Sequence, residues 1–155
     1  MPLAAIALGS NLPSPYGTPA DNLRAAIARI AMLGRITAIS TFHATAPEIN
    51  IHQPDFLNAA LLLETNLAPH PLLRALLALE LEMGRVRTGI PAKGPRIIDL
   101  DVILYDALVL NTPELQLPHP GLPERRFVLA PLAEIAPDWR HPTTGVTVAE
   151  MLASL

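Results

Sequence analysis

The chain alternates short apolar runs with polar, proline-rich punctuation, and the spacing of those runs predicts the elements. Leu3-Ala4-Ala5-Ile6-Ala7-Leu8, ending at Gly9-Ser10-Asn11, suits a central strand, although its length alone does not separate it from a helical turn. Thr18-Pro19-Ala20-Asp21 opens a helix with a capping threonine, a proline in the first turn and an early aspartate. Leu23, Ala26, Ile27, Ile30 and Ala31 form its apolar face, and Gly34 is its expected stop. Ile36 to Thr45 has the β-branched and aromatic density of a strand, limited by Pro47. A loop rich in Pro, Asn and His leads to a second apolar strand, Phe56 to Thr65. The leucines at 72, 73, 76, 77 and 79 predict a helix from about Pro71 to Met83, closed by Gly84. After a basic, glycine-containing loop, Ile97 to Tyr105 reads as another strand. The order strand, helix, strand, strand, helix, strand predicts an α+β fold. It is the ferredoxin-like split βαβ core, an antiparallel sheet with two helices packed on one face. Beyond Tyr105 the pattern predicts short turns, a brief helix near Phe127 to Ile135 and a terminal helical segment near Val146 to Leu155.

Composition narrows the class. A chain of 155 residues, 50% hydrophobic and 16% charged, buries one sizeable core, so residues 1–155 are read as a single domain. Its 17 prolines are scattered between periodic segments and mark loops on a folded domain. With no cysteine, thiolate catalysis, disulfides and zinc–thiolate sites are excluded. A net charge of -3 argues against a nucleic-acid partner, which calls for a basic stripe. The start lacks a basic signal-peptide region, and no uninterrupted apolar run reaches the roughly 18 residues of a membrane span. These features predict a soluble, cytoplasmic domain; a monomer with small-molecule partners is the expectation, with a small oligomer left open.

The sharpest oddity is Arg96-Ile97-Ile98-Asp99-Leu100-Asp101-Val102. Side chains two apart on a strand share a face, so Asp99 and Asp101 project together while Ile98, Leu100 and Val102 project oppositely. Two desolvated, unpaired carboxylates side by side cost several kcal/mol, on the order of a buried unpaired charge. A hard divalent cation with oxygen ligands relieves that cost. A solvated, merely solubilising face is the competing reading of the spacing. The neighbourhood favours chemistry: Arg85, Arg87, Lys93 and Arg96 are close in sequence, and Lys93 is the only lysine. Guanidinium forks beside a carboxylate pair suit a polyphosphate and its metal. Lys93-Gly94-Pro95-Arg96 has neither the spacing nor the hydroxyl residue of a Walker motif, and no GxGxxG occurs. Arg96 is expected just before the strand proper, turned toward the aspartates.

Four stretches together resemble the 6-hydroxymethyl-7,8-dihydropterin pyrophosphokinase family of folate biosynthesis. They are Ala7-Leu8-Gly9-Ser10-Asn11-Leu12, Gln53-Pro54-Asp55-Phe56-Leu57-Asn58-Ala59-Ala60, Gly84-Arg85-Val86-Arg87 and Gly94-Pro95-Arg96-Ile97-Ile98-Asp99-Leu100-Asp101. Pro118-His119-Pro120, Arg125-Arg126-Phe127-Val128-Leu129 and Pro131-Leu132-Ala133-Glu134-Ile135 extend the likeness over nearly the whole chain. The resemblance implies transfer of pyrophosphate from ATP to the hydroxymethyl oxygen of the reduced pterin, releasing AMP. It implies two Mg²⁺ ions held by Asp99 and Asp101, with Asp101 a candidate to receive the hydroxyl proton. Arg85 and Arg96 match phosphate-contacting catalytic arginines. Glu80, Arg87, Lys93, His119 and Arg125 complete the implied ATP set. Phe56 and Phe127 match the rings that sandwich the pterin, Asn58 faces its nitrogen-rich edge, and Thr45 and Pro47 belong to the loop over it. Gly9-Ser10-Asn11 is read as structural, shaping the base of the pocket. Arg126 is read as scaffold or solvent-facing, and Trp139 as packing.

The chain departs from the family pattern between Thr88 and Lys93: Lys93 stands where a tryptophan is common, and Ala92 replaces an arginine. Phe56 also replaces a frequent tyrosine, keeping the ring and losing a hydroxyl. These changes keep two alternatives in view. One is a related diphosphokinase for a different reduced pterin; the other is an inactive ligand-binding module of the same fold.

Overall fold

The computed structural model describes residues 1–46, 53–85 and 94–155. Its sheet is centred on β1 (Leu3–Ser10), which pairs antiparallel with β4 (Phe56–Glu64) on one side and β5 (Asp99–Tyr105) on the other. β2 (Arg35–Ile39) pairs with β4 on its far edge, giving the order β2-β4-β1-β5. β3 (His43–Thr45) follows β2 along that same edge of β4. This is the split βαβ arrangement expected from the element order.

Helices cover both faces of the sheet, where the sequence pattern assigned two helices to one face. Ala4, Ile6 and Leu8 of β1 pack with Leu61, Leu63, Leu100 and Val102 against α1 (Pro19–Ile30) and α2 (Pro69–Glu82). On the other face, Ala5, Ala60, Leu62 and Ile103 meet α3 (Arg126–Ile135) and α4 (Val148–Ala153). The reason lies in β1 itself. Its apolar residues do not alternate with polar ones, so a solvated face would leave half of them wet.

The expected strand Ile36–Thr45 is broken. Ser40 donates its N–H to the Ala60 carbonyl, but its hydroxyl, in place of its carbonyl, accepts the Ala60 N–H. The ladder therefore slips by one residue, from Ile39↔Leu61 to His43↔Asn58, and the chain bends between β2 and β3. α1 begins as the sequence predicts: Thr18 and Asp21 form a reciprocal capping box. It ends at Ile30, however, and Gly34 serves packing, not termination. A Cβ at Gly34 would stand 2.1 Å from the Glu64 carbonyl oxygen. Gly34→Ala is therefore expected to destabilise the fold by about 1–3 kcal/mol, the usual scale of forced overpacking. A urea-denaturation midpoint equal to wild type would contradict it. Gly84 does close α2, in a left-handed conformation with φ 94°. Trp139 packs on the second core and donates Nε1–H to the Asp106 carbonyl. Among the described residues no helix is long and apolar enough to cross a membrane.

Candidate active site

One pocket of about 700 Å³, including its open mouth, lies at the end of the sheet on the α3 side. Its floor comes from strand register. Asn58, Gly9 and Asp99 form one row across β4, β1 and β5, and Ala60, Ala7 and Asp101 form the next. Small residues at 7 and 9 leave the space above β1 open; a Cβ on Gly9 would touch Asn58 Oδ1 at 3.0 Å. Thr45, Phe56 and Asn58 line one side of the pocket, Arg125 and Phe127 another, and Arg96 and Asp99 its polar end.

The polar end is tightly bonded. Asp99 accepts from Arg85 Nη1 through Oδ1 and from Arg96 Nη1 through Oδ2, both at 3.0 Å. β5 begins at Asp99, so Arg96 precedes the strand and is free of its alternation, as expected. Its guanidinium carbon lies 5.3 Å over the Phe56 ring, and its Nε–H donates to the Gly94 carbonyl. Asn11, read from sequence as structural, holds the backbone beneath. Its Oδ1 accepts the Arg96 N–H at 2.9 Å, and its Nδ2 donates to Gln53 Oε1 and the Pro54 carbonyl.

Glu80 is 1% exposed and, like Arg85, Asp101 and His119, does not line the pocket. Its Oε2 accepts from Arg85 Nη1 at 2.9 Å and from the Leu100 N–H at 2.8 Å. These bonds support Arg85 and the open edge of β5 from below, and through Arg85 they tie Glu80 to Asp99. Asp101 shares the face of Asp99, and its carboxyl is pushed up to about 7. Burial is the main cause, followed by the negative charges of Asp99 and Glu80. His119 accepts the Gly121 N–H at Nδ1, which leaves its ring proton on Nε2. Burial, then Arg125, hold its pKa below the ordinary histidine value. Thr45 accepts from Asn58 Nδ2 at 2.6 Å. Arg125 lies 5.7 Å over the Phe127 ring. Arg126, outside the pocket, donates to the Leu155 carbonyl and is scaffold. Pro47, Arg87 and Lys93, with the rest of the 88–93 loop, lie outside the described residues.

Sequence reasoning missed Asn22. It is fully buried and donates Nδ2–H to Ser10 Oγ, the Leu12 carbonyl and the Ile97 carbonyl, while its Oδ1 accepts from Ser14. It thus ties the first turn of α1 to the segment entering β5. The available signal was its place on the stripe of Ala26 and Ile30, where a buried amide demands partners.

A family profile described as 7,8-dihydro-6-hydroxymethylpterin-pyrophosphokinase (HPPK) matches residues 5–137. The chain is 42% identical over 151 residues to a 2-amino-4-hydroxy-6-hydroxymethyldihydropteridine pyrophosphokinase of Pseudomonas aeruginosa, covering 96% of this chain and 89% of that protein. It is also 42% identical over 157 residues to the protein of that name from Methylorubrum extorquens, covering 100% and 94%. A folic acid synthesis protein of Dictyostelium discoideum is 38% identical over 150 residues; the match covers 97% of this chain but 22% of that longer protein. Among solved structures, wild-type Plasmodium falciparum HPPK-DHPS superposes with a TM-score of 0.75 at 13% identity, over 99% of this chain and 44% of that one. At that identity the likeness speaks for the fold.

Proposed function

Because this chain belongs to the 7,8-dihydro-6-hydroxymethylpterin-pyrophosphokinase family, we infer that it transfers pyrophosphate from ATP to 6-hydroxymethyl-7,8-dihydropterin. The products are AMP and the pterin diphosphate. The observation that carries this reading is a single pocket with two chemically distinct ends. Phe56, Phe127 and Asn58 form an aromatic and amide-lined slot, with Arg125 over the Phe127 ring, and Arg96 and Asp99 form a charged end that adjoins it at Phe56. A flat, nitrogen-rich heterocycle suits the first end and a polyphosphate the second.

The donor set fits Mg²⁺. Asp99 and Asp101 offer hard oxygens on one face, and burial, with the charges of Asp99 and Glu80 beside it, pushes the Asp101 carboxyl up, a setting that a divalent cation would relieve. The two carboxylates would hold the metal; bound there, it would supply charge neutralisation on the phosphates. Everything else falls to the chain's own side chains. Asn58 fixes the pterin edge and the two rings hold its plane, bringing the hydroxymethyl oxygen toward the β-phosphorus. Arg85 and Arg96, paired with Asp99 in the structure, have donors matched to phosphate oxygens. As the oxygen attacks the β-phosphorus and the bond to the leaving AMP breaks, Asp101, on β5 beside Asp99, is the candidate to receive the hydroxyl proton.

The test is AMP formation with ATP, Mg²⁺ and a panel of hydroxymethyl pterins. AMP formed only with a different pterin would redirect the substrate assignment, and none with any pterin would leave a binding module. Within the slot, ring area is expected to outweigh hydroxyl chemistry. Phe127→Ala should weaken pterin binding by about tenfold or more, since ring burial and aromatic pairing together exceed about 1.4 kcal/mol. Phe56→Tyr should be tolerated. Calorimetry with a non-hydrolysable ATP analogue compares them, and equal pterin affinity for wild type and Phe127→Ala would refute the stacking role.

A further inference from the structure

Away from the pocket, α3 and the bend between β2 and β3 are joined by one carboxylate. Glu134 accepts the Thr41 N–H at 3.1 Å and the Thr41 hydroxyl, whose oxygen lies 2.6 and 2.8 Å from its two oxygens. His43 Nε2 lies 3.2 Å from the same group. The Thr41 hydroxyl, more than His43, holds the Glu134 carboxyl below its usual range. The contact is about a third exposed, with side-chain exposures of 31% for both His43 and Glu134, so its Coulomb component adds little stability. Its content is positional.

The position matters because of what lies at the other end of each element. Phe127 precedes Glu134 by nearly two helical turns, so the two share a stripe of α3, roughly 10 Å apart along the axis. Thr41 and Thr45 are four residues apart across the bend into β3, a span of at most roughly 13 Å. A tie from Glu134 to Thr41 therefore sets the phase at which Phe127 faces Thr45. Between them, Pro131 has no N–H for the Phe127 carbonyl, so the helix itself secures that turn less well. On the facing side, Thr45 is paired with Phe56 and bonded to Asn58.

We propose that Glu134, through Thr41, is a positioning residue for the pterin: the tie sets the width of the slot between Phe127 on α3 and Thr45, Phe56 and Asn58 on β3 and β4. The inference rests on the pterin reading of that slot. It assigns to Glu134 and Thr41 an effect mainly on pterin affinity, because Arg85, Arg96 and Asp99 at the phosphate end stand just beyond α2 and at the entry to β5, and only Arg125, the N-cap of α3, shares the tied helix.

Thr41→Val keeps the side-chain shape and removes the hydroxyl donor; Thr41→Ser restores the donor. Glu134→Gln keeps size and one acceptor but loses the charge. Calorimetry with 6-hydroxymethyl-7,8-dihydropterin, Mg²⁺ and a non-hydrolysable ATP analogue gives pterin affinity, and steady-state AMP formation gives kcat and the KM for ATP. Thr41→Val and Glu134→Gln should each bind pterin about five- to tenfold more weakly, the scale of one weakened charge-assisted hydrogen bond. Their kcat at saturating pterin and KM for ATP should stay within about twofold of wild type, and Thr41→Ser should recover wild-type pterin affinity. If Thr41→Val does not fold, Glu134→Gln against wild type carries the same comparison. Unchanged pterin affinity, or an equal rise in the KM for ATP, would overturn the tie. Wild-type protein that forms AMP while the variants match it fails this inference alone. Wild-type protein that neither binds pterin nor forms AMP fails the functional reading as well.

Discussion

Asp99→Ala and Asp101→Ala are each expected to abolish turnover while leaving the fold intact. The loss should exceed about a hundredfold, the scale of removing one fixed group from a preorganised electrostatic site. Asp101 also makes a prediction independent of activity. Its carboxyl titrates at about 7, well above the ordinary 3.8, so the folded chain binds that proton more tightly than the unfolded chain. The stability this contributes is fully present below the unfolded value and is lost as pH rises through about 7. Asp101→Asn carries no such titration. Its melting temperature should lack the decline that the wild type shows between the two values, and at neutral pH it should be at least as stable. Mg²⁺ should stabilise wild type near neutral pH and Asp101→Asn much less. AMP assays and thermal melts across pH, with and without Mg²⁺, supply both readouts. Near-normal turnover in both alanine variants would remove the metal assignment.

The second large effect concerns Arg96 and separates geometry from charge. In the structure its guanidinium bonds Asp99 through Nη1 and Gly94 through Nε while lying over the Phe56 ring. Its backbone is pinned by Asn11. A lysine keeps the charge but has no planar fork to satisfy these directions together or to grip phosphate oxygens bidentately. Arg96→Lys should therefore remain badly impaired, with the chemical rate falling more than ATP affinity if the contact tightens in the transition state. Arg126→Ala is the control, because Arg126 reaches only the Leu155 carbonyl among the described residues and should change neither quantity. Single-turnover AMP formation at saturating ATP and pterin, with ATP binding measured separately, makes the comparison. A wild-type rate in Arg96→Lys would show that charge suffices there.

Residues 86–93 contain both Arg87 and the departure at Lys93, so the effect of that loop is best read against these two results. If Arg96 behaves as expected, the phosphate end depends on the Asn11–Arg96–Asp99 frame, all three of whose residues lie outside that loop.

The sequence by itself determined what local rules govern. Alternation along 98–102 put Asp99 and Asp101 on one face and Ile98, Leu100 and Val102 on the other, because the pleat admits no other arrangement. The capping pattern at Thr18 and Asp21 placed the start of α1, since those contacts close within one turn. Family likeness then named the rings and arginines. Tertiary structure decided what depends on groups distant in the chain. The break at Ser40 follows from a hydroxyl replacing a carbonyl against Ala60, twenty residues away. Glu80 turned under Arg85 and Leu100 because the uncovered edge of β5 needed an acceptor, a need that helix periodicity does not register. Asn11, Asn22 and Glu134 are polar residues in otherwise apolar or unremarkable positions. Their roles emerged only when folding brought Arg96, Ile97 and Thr41 within hydrogen-bonding reach, because a local pattern specifies which face a side chain occupies and long-range packing specifies what it meets there.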